Sequence, residues 1–361
     1  MIFEPDLMRD HNGNIVASGD DMDRRREEIL EVLQNNAYGR IPEKVPVCGR
    51  IISEDAKTCS GNAVRYNTEI ICAFQSSVFC FPMSLVVPNG EGRKPLIVVL
   101  NFRPDLYDMY IPVEEIIDNG FALAQIYYED ITSDDGNFGD RIAALFPRDH
   151  ECSPGKISMW AWGVSRALDY LLSLEWFDEE EIGLIGHSRL GKTALWCAAN
   201  DKRINYVCSN DSGCMGAAYA RSLHAGGESS SVIAGAFPFW FCPRFSDICH
   251  NVNELPFDQH FLLAAIAPRC VLVNSAQGDV WADPASEQNS CIGADPAWTA
   301  YGVKGYAGQR NTYHENEGNL SGRIGYYKRS GIHFLGRKDW QTFMRFIKDH
   351  MNTAEETVKG E

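Results

Sequence analysis

The chain has no apolar run approaching the ~18 residues that a membrane span requires, so an integral membrane protein is not expected. It also has no cluster of lysine and arginine. The formal net charge is -16 and the pI is near 5.0, and the basic face that nucleic-acid binding needs is therefore missing. An anionic substrate would need cations placed locally against that field. Neither an internal repeat nor a low-complexity segment is visible, which excludes solenoids and simple linkers. The N-terminus, Met-Ile-Phe-Glu-Pro-Asp, carries neither a basic nor an apolar targeting region; no secretory signal is visible, and a cytoplasmic location is expected.

Twelve cysteines are present, but no C-x-x-C pair and no dense framework. Cys72, Cys80, Cys197, Cys208 and Cys270 lie in apolar segments and read as buried free thiols of a reducing compartment. Cys242, Cys249 and His250 come nearest to a metal cluster. Their spacing matches no recognised ligand set, and no metal or organic cofactor is expected.

With 361 residues, 45% of them hydrophobic and 11% aromatic, the chain can bury a substantial core. A single α/β domain over residues 1–352 is expected, followed by a disordered tail from Thr353. Apolar residues at helical intervals predict a charged surface helix over Met22–Asn35, and alternation over Ala63–Val87 predicts an antiparallel hairpin at a sheet edge. The short apolar runs Leu96–Leu100 and Phe121–Tyr127, with helical spacing at Val113–Asp118 between them, read as a β-α-β unit buried on both faces. The loops beginning at Asn101 and Tyr128 would then share the carboxyl edge of the sheet, where open α/β sheets form their sites. Asp130–His150 reads as a long loop near that site. Ile157–Leu174 reads as an amphipathic helix whose Trp160 and Trp162 pack on the sheet. Further strands are expected at Tyr206–Ser209, Arg269–Ser275 and Ile324–Lys328, with a closing helix over Trp340–His350.

Chemistry concentrates in Ile182–Lys192, Ile-Gly-Leu-Ile-Gly-His-Ser-Arg-Leu-Gly-Lys. An apolar strand ends in glycines around one serine, and a helix-spaced segment follows, so Ser188 falls on a tight strand-to-helix turn, a nucleophile elbow. Gly186 and Gly191 leave room for strand and helix to approach, although the second glycine comes one residue later than in G-x-S-x-G. A serine hydroxyl needs a histidine to take its proton and a carboxylate to orient that histidine. His333 follows the last expected strand in Ser330-Gly331-Ile332-His333 and fits the general base. His187 adjoins the serine but should point away across the turn, and His260 lies in a helix-like apolar run. For the acid, Asp211 follows the strand after the elbow, while Asp279 and Asp283 follow the next one; position alone favours Asp279.

The string GHSRLGKTALW, followed in order by SNDSGCMGAA, GES, FPFWF, LPFDQH, AAIAPR and GDVWADP, resembles the bacterial branch of the glucuronoyl esterases, carbohydrate esterase family 15. The resemblance implies an α/β-hydrolase fold: a mostly parallel central sheet with helices on both faces, a three-layer sandwich. It ranks Asp211 first as triad acid and Asp279 second. It also implies an oxyanion-stabilising role for Arg189 and sugar contacts for Lys192, Glu228 and Trp281. In this chain His187 replaces a cysteine of the best-known members, and Asp211 stands where they commonly carry a glutamate. The implied activity is hydrolysis of the ester of a (4-O-methyl) glucuronic acid on a xylan-derived saccharide through an acyl-enzyme, with no cofactor and only the small-molecule or oligosaccharide ester as partner. The alternatives are an acetylxylan esterase, which shares the elbow, and a non-catalytic carbohydrate-binding protein on the same scaffold.

Overall fold

A computed structural model describes residues 2–102, 111–310 and 313–358, with side chains as far as residue 351. Among the described residues ten strands form one sheet: β1 (Val47–Asp55), β2 (Ala63–Ala73), β3 (Val78–Pro88), β4 (Lys94–Asn101), β5 (Ala122–Tyr127), β6 (Phe177–His187), β7 (Tyr206–Asn210), β8 (Cys270–Ala276), β9 (Glu317–Asn319) and β10 (Ile324–Arg329). Their spatial order is β1-β2-β3-β5-β4-β6-β7-β8-β10-β9. The run from β5 to β10 is parallel throughout, and the flanks are antiparallel.

The parallel strands are apolar on both faces because helices cover both. Along β4, Leu96, Val98 and Leu100 enter one core, while Ile97 and Val99 enter the other. The larger core receives the helices Gly19–Leu33, Lys156–Ser173 and Arg189–Asn200; the smaller receives Val113–Asp118 and the closing helix Arg337–Val358 through Trp340, Phe343 and Ile347. Three layers result, as the α/β-hydrolase fold requires. The edge hairpin and the β-α-β unit lie where the sequence placed them, with Leu96 opposite Ala122 and Ala63 opposite Pro88.

Other elements differ. The helix Lys156–Ser173 is buried on nearly every side over its first three turns rather than amphipathic; Trp160 and Trp162 are in the core, each donating its indole N–H at 3.0 Å to a loop carbonyl, of Thr132 and Glu43 respectively. Strand β1 and the helix Pro284–Ala300 were not anticipated. Cys72, Cys197, Cys208 and Cys270 are buried, but Cys80 is exposed because the alternation of β3 turns it to solvent beside buried Phe79 and Phe81. All twelve cysteines are free thiols. Buried Cys242 and Cys249 lie near carbonyls, of Asn35 at 3.9 Å and Ser246 at 3.5 Å, and His250 is exposed.

From Thr353, where a tail was expected, the backbone of the closing helix continues to Val358; the side chains from residue 352 and residues 359–361 lie outside the described residues. So does 103–110, most of the loop that begins at Asn101. Among the described residues no helix is long and apolar enough to cross a membrane.

The chain leaves β4 for β5 on one side and returns to β6 on the other. That reversal makes the carboxyl ends of β4 and β6 the topological switch point, where α/β sheets bind ligands.

Candidate active site

Ser188 stands between β6 and the helix Arg189–Asn200 with φ 56° and ψ -127°, a strained backbone that a non-glycine residue adopts only when its surroundings enforce it. Its N–H donates to Asn210 O at 2.9 Å, and its own carbonyl accepts from Gly191 N at 2.8 Å and Lys192 N at 3.1 Å, closing the first helical turn. The turn is tight enough that a Cβ on Gly186 would lie 2.0 Å from the Leu190 carbonyl oxygen. Leu190, at the usual place of the second glycine, is fully buried. Gly191 instead supplies the close approach of the helix to the loop after β7, since a Cβ there would meet Ser212 Cβ at 3.0 Å and Ser209 Oγ at 3.2 Å.

His333 follows β10 and presents Nδ1 to Asp279 Oδ2 at 2.5 Å. With that nitrogen held by the carboxylate, Nε2 is the edge left for a proton from a serine. Asp211 does not orient the histidine. Its carboxylate accepts from Arg329 Nη2 at 2.9 Å, Ala276 N at 2.7 Å and Asn210 Nδ2 at 3.2 Å. The geometry therefore reverses the ranking taken from the resemblance: the acid in contact with His333 is Asp279. The physical reason is Arg329. Its guanidinium reaches across from β10, meets Asp211 and Asp339, and so occupies the carboxylate that follows β7. Asp283 has a third fate: it caps the helix Pro284–Ala300 and holds His224 N at 2.8 Å.

Arg329 also donates to the carbonyls of Ser330, Ile332 and Phe334, the loop that carries His333. Asn210 ties that loop to the elbow, donating from Nδ2 to Phe334 O at 3.1 Å while its carbonyl holds Ser188 N. His187 lies against His333, with ring centroids 4.4 Å apart, and its Nδ1 is 2.9 Å from Asn210 Nδ2. Burial pushes His187 well below the usual imidazole range, and His333 and Arg329 push the same way. A neutral neighbour lets His333 accept a proton without like-charge repulsion. His260, the other rival, is buried against Phe3 and Tyr219, with Nε2 3.1 Å from Pro5 O; burial lowers it to about 3.

Arg189, the residue after the serine, is half-buried. Its Nη1 is paired with Asp134, and its guanidinium lies 4.8 Å from the centre of the Trp240 ring. Lys192 and Glu228 are both buried, at 4% and 6% exposure. Lys192 Nζ donates to Ser212 O, burial lowers its pKa, and Glu228 offsets part of that fall. Glu228 is raised by burial and lowered by Lys192 and by a hydrogen bond from Trp281, so the two charges support each other. Trp281 is 55% exposed. Glu228 links the indole to Lys192: its N–H donates to Trp281 O at 3.0 Å and its carboxylate takes a hydrogen bond from the Trp281 side chain.

Sequence reasoning missed Arg329 and Asp134, which act on residues far away in the chain, and Glu287, fully buried and accepting from Gly213 N at 2.8 Å and Ser275 Oγ at 2.5 Å. A signal existed for Arg329 alone: a buried strand ending in the charged pair Lys328 and Arg329, next to the histidine loop. Among the described residues, Asp211, Asp279 and His333 are close enough to hold a metal ion, with ligand atoms within 4.8 Å. Their bonds serve other ends, since Asp211 is paired with Arg329 and Asp279 is hydrogen-bonded to His333 Nδ1.

Fold and site together define a serine hydrolase of the α/β-hydrolase class. A family model described as "Glucuronyl esterase, fungi" matches residues 70–302. The carbohydrate esterase MZ0003, from an unknown prokaryotic organism, is 30% identical over 92% of this chain and 86% of its own length. A 4-O-methyl-glucuronoyl methylesterase of Hypocrea jecorina is 31% identical over 84% of this chain, which spans 63% of that longer protein. The structure of a glucuronoyl esterase from Solibacter usitatus superposes with a TM-score of 0.88 at 30% identity, covering 97% of this chain and 98% of that one. The chain belongs to the glucuronoyl esterase family and is a serine-type carboxylic ester hydrolase.

Proposed function

We propose that this protein hydrolyses the ester between the carboxyl group of a (4-O-methyl) glucuronic acid, carried on a xylan-derived saccharide, and an alcohol. Ser188 Oγ attacks the ester carbonyl as His333 Nε2 takes its proton, with Asp279 holding the imidazole and steadying the imidazolium. The oxyanion forms beside Arg189 and the first backbone amides of the elbow helix, whose N–H groups have no partner within the helix. The carbon–oxygen bond to the alcohol breaks and the alkoxide leaves with the proton from His333. Water then attacks the acyl-enzyme, giving its proton to His333, and releases the uronic acid as Ser188 recovers its hydroxyl.

The observation that carries the uronate reading is the buried pair Lys192 and Glu228 next to exposed Trp281, beside the elbow of Ser188. A pyranose ring suits an indole face, and its hydroxyls suit a fixed ammonium and carboxylate. An acetyl group would use none of these. The names of the Hypocrea jecorina and Solibacter usitatus relatives support the same acyl group.

The test is hydrolysis by the purified protein, with Ser188→Ala as control, of benzyl glucuronate alongside an acetylated xylo-oligosaccharide. Cleavage of the uronate ester and not the acetate is expected. Release of acetate alone would leave the serine chemistry standing and overturn the acyl specificity.

A further inference from the structure

We propose that Asp134 is a positioning residue of the esterase reaction, fixing Arg189 so that its remaining donors face the oxyanion. The inference rests on the reading of Arg189 as an oxyanion donor.

Asp134 lies in the loop after β5, and its carboxylate is nearly fully buried. Three side chains donate to it, two of them from elements distant in sequence. Arg189 gives Nη1 and Tyr128 gives its hydroxyl at 2.9 Å, both to Oδ2; Trp240 gives its indole N–H to Oδ1 at 2.7 Å. Trp240 also lies under the guanidinium it helps to place, and Phe237 stacks on Trp240 at 4.0 Å with the rings 5° from parallel. Phe102 and Phe237 complete the enclosure, each with its ring centre 5.7 Å from the guanidinium carbon. Arg189 is thus held by one ion pair at its edge and by aromatic faces around its plane.

The loop is anchored from below. Lys156, with no exposed surface, donates from Nζ to Thr132 Oγ1 at 2.7 Å and to Asn137 O at 2.5 Å, on either side of Asp134. A buried ammonium bonded to both flanks gives the loop one geometry.

The consequence concerns donors. Of the five N–H groups of Arg189, Asp134 takes one on Nη1, and Nε is buried with no hydrogen-bond partner. A buried donor without a partner is costly in the resting protein. The N–H groups left for an oxyanion in the transition state are those of the terminal nitrogens, Nη2 and the second on Nη1. Preorganised donors help because they need no reorientation as charge develops. An arginine without Asp134 would keep its charge and lose its aim.

The experiment compares kcat and KM on benzyl glucuronate for the wild type, D134A, D134N, R189A and the D134A/R189A double variant, with thermal unfolding of each. D134A is expected to lower kcat on the order of 10²-fold, the effect of a misplaced catalytic group, with KM changed by no more than about threefold. D134N retains an acceptor and should recover about tenfold of that loss. In the R189A background D134A should cost nothing further, because the group it positions is gone. Wild-type kcat in folded D134A, with R189A impaired, would overturn the inference and leave the Arg189 reading intact. Losses that multiply in the double variant would also overturn it, assigning Asp134 to the fold instead. Unchanged kcat in R189A would overturn the reading on which the inference rests, and the inference with it. Should D134A fail to fold, W240F removes one of the three donors to the carboxylate and is expected to lower kcat severalfold without changing KM; an unchanged kcat would count against the proposal.

Discussion

His333 Nδ1 and Asp279 Oδ2 lie 2.5 Å apart across 54 residues of chain, and Asp211, one strand nearer the elbow, gives its carboxylate to Arg329 instead. Two acids thus stand beside one histidine with different duties. One orients the imidazole, and the other anchors the cation that shapes the histidine's loop.

Substitution separates these duties. Asp279→Asn keeps the shape and removes the charge that stabilises the imidazolium, and kcat is expected to fall on the order of 10⁴-fold with KM little altered. Asp211→Asn should lower kcat far less and show its effect in unfolding, because Arg329 loses one of its two carboxylates. Steady-state kinetics on a glucuronate ester, read beside urea unfolding, decides the matter. The opposite pattern would make Asp211 the triad acid.

Arg329 itself should matter more for stability than any surface ion pair. It satisfies two buried carboxylates and three carbonyls with one guanidinium. Arg329→Met leaves Asp211 and Asp339 buried and unpaired, and a loss of about 3–5 kcal/mol is expected. Lysine should restore little of this, because a single ammonium cannot span both acids and the loop. Denaturant midpoints of the two variants check the expectation; a loss below about 1 kcal/mol, the range of exposed pairs, would contradict it.

Glu287 gives the stability curve a pH dependence of defined sign. Burial raises its carboxyl from the ordinary 4.5 to about 7, against the pull of the Ser275 hydroxyl and the Gly213 amide. Between those values the folded protein holds a proton that the unfolded chain has released. Stability from this group is therefore fully present below 4.5 and falls as pH rises to about 7, by roughly 3 kcal/mol in all. His187 and His260 act oppositely, being depressed, and lose stability as pH falls below 6.5. The difference between wild type and Glu287→Gln isolates the carboxyl. That difference should change across pH 4.5 to 7 and be flat on either side; parallel unfolding curves for the two proteins would refute the assignment.

What the sequence made legible follows from how local each signal is. Leu96–Leu100 and Phe121–Tyr127 announced parallel strands because helices bury both their faces. β1 carried no such signal: most of Val47–Asp55 is exposed, so no apolar alternation marks it. The helix Pro284–Ala300 was hidden by Gly293, Pro296 and the serines Ser286 and Ser290, poor helix formers whose cost tertiary burial offsets. The turn that carries Ser188 and the loop that carries His333 were legible because both are local features. Position after the later strand pointed to Asp279 and the resemblance to Asp211; what the sequence did not show is Arg329, 118 residues from Asp211, which takes that carboxylate. Asp134 stood in a loop without period, 55 residues from the arginine it meets.

The elbow offers the sharpest contrast between neighbouring glycines. A Cβ on Gly186 would sit 2.0 Å from Leu190 O and 2.4 Å from Leu190 C, both backbone atoms in the first turn of the helix. Neither can retreat without unwinding the turn that holds Ser188 at φ 56°. At Gly191 the nearest atoms are Ser212 Cβ at 3.0 Å, Gly186 O at 3.1 Å and Ser209 Oγ at 3.2 Å, and a shift of a few tenths of an ångström relieves them. Gly191→Ala is therefore expected to cost about 1–3 kcal/mol, the usual range for overpacking, and to keep measurable turnover. Gly186→Ala should cost more than about 4 kcal/mol, or abolish the folded state, because the clash is with main chain. Thermal unfolding and active-serine labelling with a fluorophosphonate measure both effects. Equal tolerance at the two positions would mean that the strained serine, and not the spacing of its glycines, sets the geometry of the turn.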